Sequence, residues 1–195
     1  MKNPWFRWTV LVSYVSVILL TLSRFPRYWY GLRNVLGRPK LYLLSNSLII
    51  IFALVCIVVI AVKYRPSLRS CLIAAPLGIY YMVRLYSLVT GPKAAPAEAL
   101  HLAEYCLLGG LAVWAFRLHL APGWTYFCAT ILCQTVGVAD ETIQAILPNR
   151  TGELRDILLN WEASFIGLAS LFILTQLDRR LRRRPGGKYD ELPRS

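Results

Sequence analysis

LYLLSNSLIIIFALVCIVVIAV, residues 41–62, carries no charge over 22 positions. About 20 mostly apolar residues are enough for a helix to cross the ~30 Å hydrocarbon core of a bilayer. Lipid gives backbone polar groups no partner, so such a segment has to satisfy its own hydrogen bonds as a helix. The stretch therefore predicts a transmembrane helix, and the chain repeats the signal on either side of it. Apolar runs over 6–22, 71–90, 97–117, 123–145 and 155–177 bring the expected number of spans to about six. The expected fold class is all-α, a polytopic transmembrane helical bundle.

The composition agrees. The chain has 195 residues, 56% of them hydrophobic, and a mean hydropathy of +0.49. That is too apolar for an ordinary soluble domain, and six spans with short loops leave no length for a separate one. The net charge is +12. No basic soluble recognition module is visible, which excludes nucleic acid as a partner. In a membrane protein, basic loops meet anionic lipid headgroups and set topology. The five cysteines, Cys56, Cys71, Cys106, Cys128 and Cys133, lie in or beside apolar runs. Without zinc-like or redox-like spacing they read as small packing residues.

Three regions follow. Residues 1–70 hold the N-terminal spans and a basic, aromatic loop, SRFPRYWYGLRNVLGRPK (23–40), whose rings and arginines favour the headgroup layer. The first span lacks a small-residue cleavage site and reads as a retained anchor. Residues 71–177 form the main membrane domain, and 178–195 a basic, flexible tail. With six spans both termini share a side, together with Lys2, Arg7, Lys63, Arg65, Arg69, Arg117 and the basic tail. The opposite side holds fewer: Arg24, Arg27, Arg33, Arg38, Lys40, Lys93, Arg150 and Arg155. The bias predicts cytoplasmic termini.

The acids are confined to the second half, since none precedes Glu98. His101, Glu104 and Tyr105 fall in the first turns of the fourth span, and Asp140, Glu141 and Gln144 in the last turns of the fifth. Asp156 and Asn160 open the sixth, and Arg84 lies about two turns before the third ends. Alternating helix directions bring all of these toward one membrane face, the outer one by the charge count. His101 and Tyr105, Asp140 and Gln144, and Asp156 and Asn160 are each four residues apart, so each pair shares a helix face. An acid at a helix centre costs about 2.5–3.5 kcal/mol to insert, and less near the interface. Four acids at half that cost would take about 5–7 kcal/mol, as much as the stability of a small domain. They are therefore expected to face one another, water or arginine in a shared hollow. Thr151 and Glu153 read as capping residues for the sixth span. Glu98 and Glu162 are left open.

HLAEY (101–105), followed by ADETIQAILPNRTGELRDILLN (139–160) and Gly167, resembles the VanZ-like family of bacterial integral membrane proteins. The resemblance rests on His101, Tyr105, Asp140, Glu141, Gln144, Pro148, Arg150, Asp156 and Asn160, in order and spacing, over about the second half of the chain. WEAS (161–164) stands where family members often have glycine. The family is named for a protein associated with resistance to a lipoglycopeptide antibiotic. The resemblance implies a bacterial inner-membrane protein of the cell envelope, connected with lipid or lipid-linked cell-wall substrates.

These residues point to phosphoester hydrolysis or exchange on a lipid headgroup. His101 would be general base or nucleophile. Asp140 or Asp156 would orient it, and Glu141 or Glu104 would be a second acid/base. Arg84 and Arg150 would hold phosphate oxygens, because guanidinium matches them bidentately. Tyr105, Gln144 and Asn160 would hydrogen-bond the headgroup. The spacing does not decide whether a divalent metal sits on the carboxylates. The alternative is a non-enzymatic membrane protein that binds a lipid, lipoglycopeptide or cell-wall precursor and limits access to it, or a scaffold for a membrane partner. A transporter is disfavoured, because the chain shows no paired, broken spans in two matching halves.

Overall fold

Prolines mark where the helices begin. The computed structural model describes residues 4–22, 24–90, 96–148 and 152–182, and every regular element among them is helical. They are α1 (Pro4–Thr21), α2 (Phe25–Leu36), α3 (Arg38–Tyr64), α4 (Leu68–Thr90), α5 (Pro96–Phe116), α6 (Pro122–Ile146) and α7 (Leu154–Phe172). A π-helical turn (Ile173–Leu177) continues α7 into α8 (Asp178–Arg182). Pro4, Pro96 and Pro122 open their helices, and Pro26 and Pro39 sit in the first turn of theirs. A missing N–H costs nothing there, and φ is already near its helical value. Gly37, at φ 75°, separates α2 from α3 in a conformation that glycine adopts most easily. Arg65, at φ 44°, ends α3 in the left-handed region.

Among the described residues, four helices are long and apolar enough to cross a membrane: Arg38–Tyr64, Leu68–Leu88, Ala99–Phe116 and Leu154–Leu181. Six were expected. Trp5–Thr21 is apolar but shorter, and α6 is not among the four. Asp140, Glu141, Gln134 and Gln144 dilute the hydropathy of α6, although it has 25 residues. Only 11% of the most apolar stretch of α3 is buried, and Ile50, Ile51, Val55 and Val58 lie on the outside. Water would not tolerate an apolar face of that extent, but acyl chains cover it. This is the surface of a membrane protein.

α5 is the central helix. It packs against α7, α6, α1, α3 and α4, and buries Leu102, Tyr105, Leu108, Ala112 and Ala115. Lipid is as apolar as leucine, so close packing rather than exclusion from water holds such helices together, and small residues allow it. At Gly167 a Cβ would stand 3.2 Å from the Cα of Cys106, and at Gly109 one would stand 3.1 Å from Leu168 Cγ. The α5 and α7 backbones are correspondingly close, and the Cys106 thiol donates to the Ala163 carbonyl at 3.2 Å.

The up-and-down course gives the bundle two distinct ends. At one end Arg7 Nη1 donates to the Trp114 carbonyl (3.0 Å) and Arg117 Nη1 to Tyr64 Oη (3.2 Å). Asp178 belongs to this end. Its carboxylate accepts from the Ser67 N–H (2.7 Å) and Ser70 Oγ (2.9 Å) at the start of α4. The segment expected to be a flexible tail from Asp178 onward is thus docked at its first residue, which is buried. Residues 183–195 lie outside the described residues. The opposite end gathers α2, the end of α4, the start of α5, the end of α6 and the start of α7, where the sequence concentrates its polar groups.

Candidate functional site

Two linked assemblies form at that end. The inner one is a buried hydrogen-bond network. Gln144 follows Asp140 by four residues and Glu141 by three, so one amide reaches both. Its Nε2 donates to Asp140 Oδ1 (2.8 Å) and Glu141 Oε1 (3.1 Å). Tyr105 Oη, on α5, donates to Asp140 Oδ2 (2.9 Å). The backbone N–H of Glu153 donates to Glu141 Oε2 (3.1 Å), which ties the entrance of α7 to the end of α6. Both Asp140 oxygens are engaged, and Asp140, Glu141 and Gln144 are all buried. In such surroundings an unmatched polar group is costly, so a saturated network fixes the relative positions of its helices.

The outer assembly is a cavity of about 270 Å³. Tyr14, Ile18 and Thr21 of α1, Leu22 just after it and Phe25 of α2 form one side; Leu100, His101 and Glu104 of α5 form the other. His101 Nδ1 stands 3.7 Å from Glu104 Oε2, three residues along the same helix. The ring centroids of His101 and Tyr105 are 6.4 Å apart, so the imidazole lies next to the tyrosine that binds Asp140. Tyr14 Oη donates to the Glu104 carbonyl (3.1 Å), which holds α1 against this part of α5.

The remaining expected site residues are placed differently. Arg84 makes a bidentate pair with Glu162 of α7, Nε to Oε1 at 2.8 Å and Nη2 to Oε2 at 3.0 Å. Its guanidinium fork thus meets a carboxylate of the chain itself, and Glu162, left open by sequence, is the partner. Asn160 is wholly buried beside Gly137 and Tyr105, and neither of its amide atoms has a hydrogen-bond partner among the described residues. Asp156 is half-buried in the first turn of α7, its Oδ1 3.4 Å from Arg155 Nε. An acid there also faces the positive end of the helix dipole. Glu153 takes the N-cap position of α7, but its side chain makes no capping bond; its backbone N–H serves Glu141 instead. Arg150, Thr151 and the Glu98 side chain lie outside the described residues. Among the described residues, no three His, Cys, Asp or Glu side chains are grouped as metal ligands would be.

Sequence reasoning missed the α1–α2 wall of the cavity. Thr21, Leu22 and Phe25 carry no local signal, and only the packing of α1 on α5 brings them to His101. It also missed Gly152. A Cβ at that position would overlap the Glu141 carbonyl and stand 2.9 Å from Ala145 Cβ. Gly152→Ala is therefore expected to push the 152–153 segment off α6 and break the Glu153–Glu141 bond. Overpacking of this kind costs about 1–3 kcal/mol. Thermal unfolding of the purified variant in detergent should show the loss as a lower Tm. No protein family, curated protein or solved structure matches the chain.

Proposed function

We propose that the chain is a six-span, VanZ-like protein of the bacterial inner membrane that acts on a phospholipid or lipid-linked cell-wall headgroup by phosphoester hydrolysis or exchange. In this reading α1, α3, α4, α5, α6 and α7 cross the bilayer. Both termini are cytoplasmic, and the polar end faces outward. The single observation that carries the proposal is the cavity that sets His101 and Glu104 together at the polar end of an apolar bundle. Its volume lies just below the usual range for small-molecule sites. That suits a phosphorylated headgroup and is too small for an acyl chain or a glycopeptide.

The residues divide the work. His101 takes a proton from water or an acceptor alcohol, whose oxygen bonds to phosphorus as the ester P–O bond breaks. Glu104 stabilises the imidazolium that results, and the leaving oxygen recovers the proton. Asp140, with both oxygens occupied, acts as a positioning residue: it holds Tyr105, and Tyr105 backs the His101 ring. Arg150 remains the candidate phosphate ligand, because Arg84 is paired with Glu162.

One observation favours the non-enzymatic reading. The Asp140 and Glu141 carboxylates are engaged by Gln144, Tyr105 and the Glu153 N–H, and the separate cavity has a small polar complement and a largely apolar wall. A site of that kind binds without needing to turn over. The two readings separate in one assay. The purified protein in lipid nanodiscs receives phospholipids and polyprenyl phosphates labelled in the headgroup. Release of labelled headgroup, or its transfer to an alcohol, is the expected result. Saturable retention of labelled lipid with no product would assign the site to binding alone.

A further inference from the structure

We propose that α2 docks on anionic phospholipid headgroups and forms the threshold over which such a lipid reaches the His101–Glu104 cavity. The proposal rests on the headgroup reading of that cavity and adds to it the charge class of the lipid and its route.

The first observation is the division of α2 into two faces. At 100° per residue, Phe25, Tyr28, Trp29, Leu32, Val35 and Leu36 fall on one side, and Arg27, Arg33 and Asn34 on the other. The second is that the chain leaves much of the apolar side uncovered. Tyr28 is 62% and Val35 82% exposed, and Leu32 is exposed too. An amphipathic helix between two transmembrane helices, with an open apolar face, lies in the plane of the interface with that face among the acyl chains. The third is charge. Arg24, Arg27, Arg33, Arg38 and Lys40 lie in or beside α2, and no acid precedes Glu98. Such a segment is complementary to an anionic headgroup layer. The fourth is continuity with the site. Phe25, the first residue of α2, lines the cavity and stacks on Trp29 at 5.7 Å between ring centroids. A lipid held against the arginines of α2 therefore meets the cavity at Phe25, without leaving the headgroup layer.

The test uses the full-length protein in phosphatidylcholine nanodiscs containing small amounts of spin-labelled lipid. The immobilised fraction of the spectrum reports association with the protein. Spin-labelled phosphatidylglycerol is expected to associate more strongly than spin-labelled phosphatidylcholine. Arg27→Gln with Arg33→Gln should lower that preference by about fivefold per arginine, and high salt should have the same effect on the unsubstituted chain. Arg27→Lys with Arg33→Lys should keep the preference, since charge and not guanidinium shape carries it. A preference that is absent at the start, or that survives the glutamine substitutions, overturns the proposal. A photo-crosslinker in place of Val35 then identifies the occupant of the apolar face. Lipid adducts are expected, and adducts to a second copy of the chain or to another protein overturn it. Both readouts measure association and not turnover. Headgroup release with no arginine-dependent preference would leave the catalytic reading intact and remove the role of α2. The reverse pair of results would keep α2 as a lipid-docking helix and remove catalysis.

Discussion

Asp140→Val is expected to unfold the polar end of the bundle at a much lower temperature than the parent chain, and Asp140→Asn to do so far less. Valine roughly matches the aspartate side chain in volume but accepts no hydrogen bond. Tyr105 Oη and Gln144 Nε2 would both lose their buried acceptor, at about 1–3 kcal/mol for each orphaned donor. Against a typical total of about 5–15 kcal/mol the sum is large. Asparagine keeps one carbonyl oxygen for Gln144, and the tyrosine hydroxyl can rotate to accept from its amide nitrogen. The loss with asparagine should be confined to the difference between a charged and a neutral acceptor. Near-UV circular dichroism during thermal unfolding in detergent would measure both. A Tm for Asp140→Val equal to that of the parent would mean that the network does not hold α5 to α6.

His101→Ala should show the opposite pattern, with chemistry lost and the fold kept. The side chain is half-buried and lines the cavity rather than the buried apolar core. A positioned general base contributes about 10²–10⁴-fold to rate. Headgroup release in nanodiscs should fall by that factor while the Tm stays within about a degree or two, as expected for a substitution outside the core. Glu104→Gln should give a smaller drop, since it removes only the charge that stabilises the imidazolium. Turnover unchanged in His101→Ala would take the histidine out of the reaction.

The spans were legible because lipid reduces the code to one variable. The expected stretches 41–62, 71–90 and 97–117 fall within about a turn of α3, α4 and α5, whose ends are set by prolines, Gly37 and Arg65. α6 was legible as a helix but is weaker as a span, because the polar residues that make it interesting also lower its hydropathy. The inner network could be anticipated where it is local. The i, i+3 and i, i+4 spacing of Asp140, Glu141 and Gln144 is a property of one helix. Partners from different helices could not be read in the same way. Nothing in the sequence around Arg84 distinguishes a lipid phosphate from Glu162, 78 positions away, as its counter-charge. Asp178 looked like the start of a solvated tail, because its role as acceptor for Ser67 and Ser70 depends on where α7 ends relative to α4. The cavity wall from α1 and α2 belongs to the same class, since apolar residues in a first span announce no site.

The proposed reaction requires a lipid headgroup in the hollow between α1, the start of α2 and α5. A phospholipid with a photoreactive group in its headgroup, incorporated into nanodiscs with the parent chain and mapped by peptide mass spectrometry, addresses it directly. Adducts are expected on the 14–25 and 100–104 peptides, competed away by unlabelled lipid of the same headgroup. Adducts spread evenly over lipid-facing α3 and α4, with none on those two peptides, would contradict it.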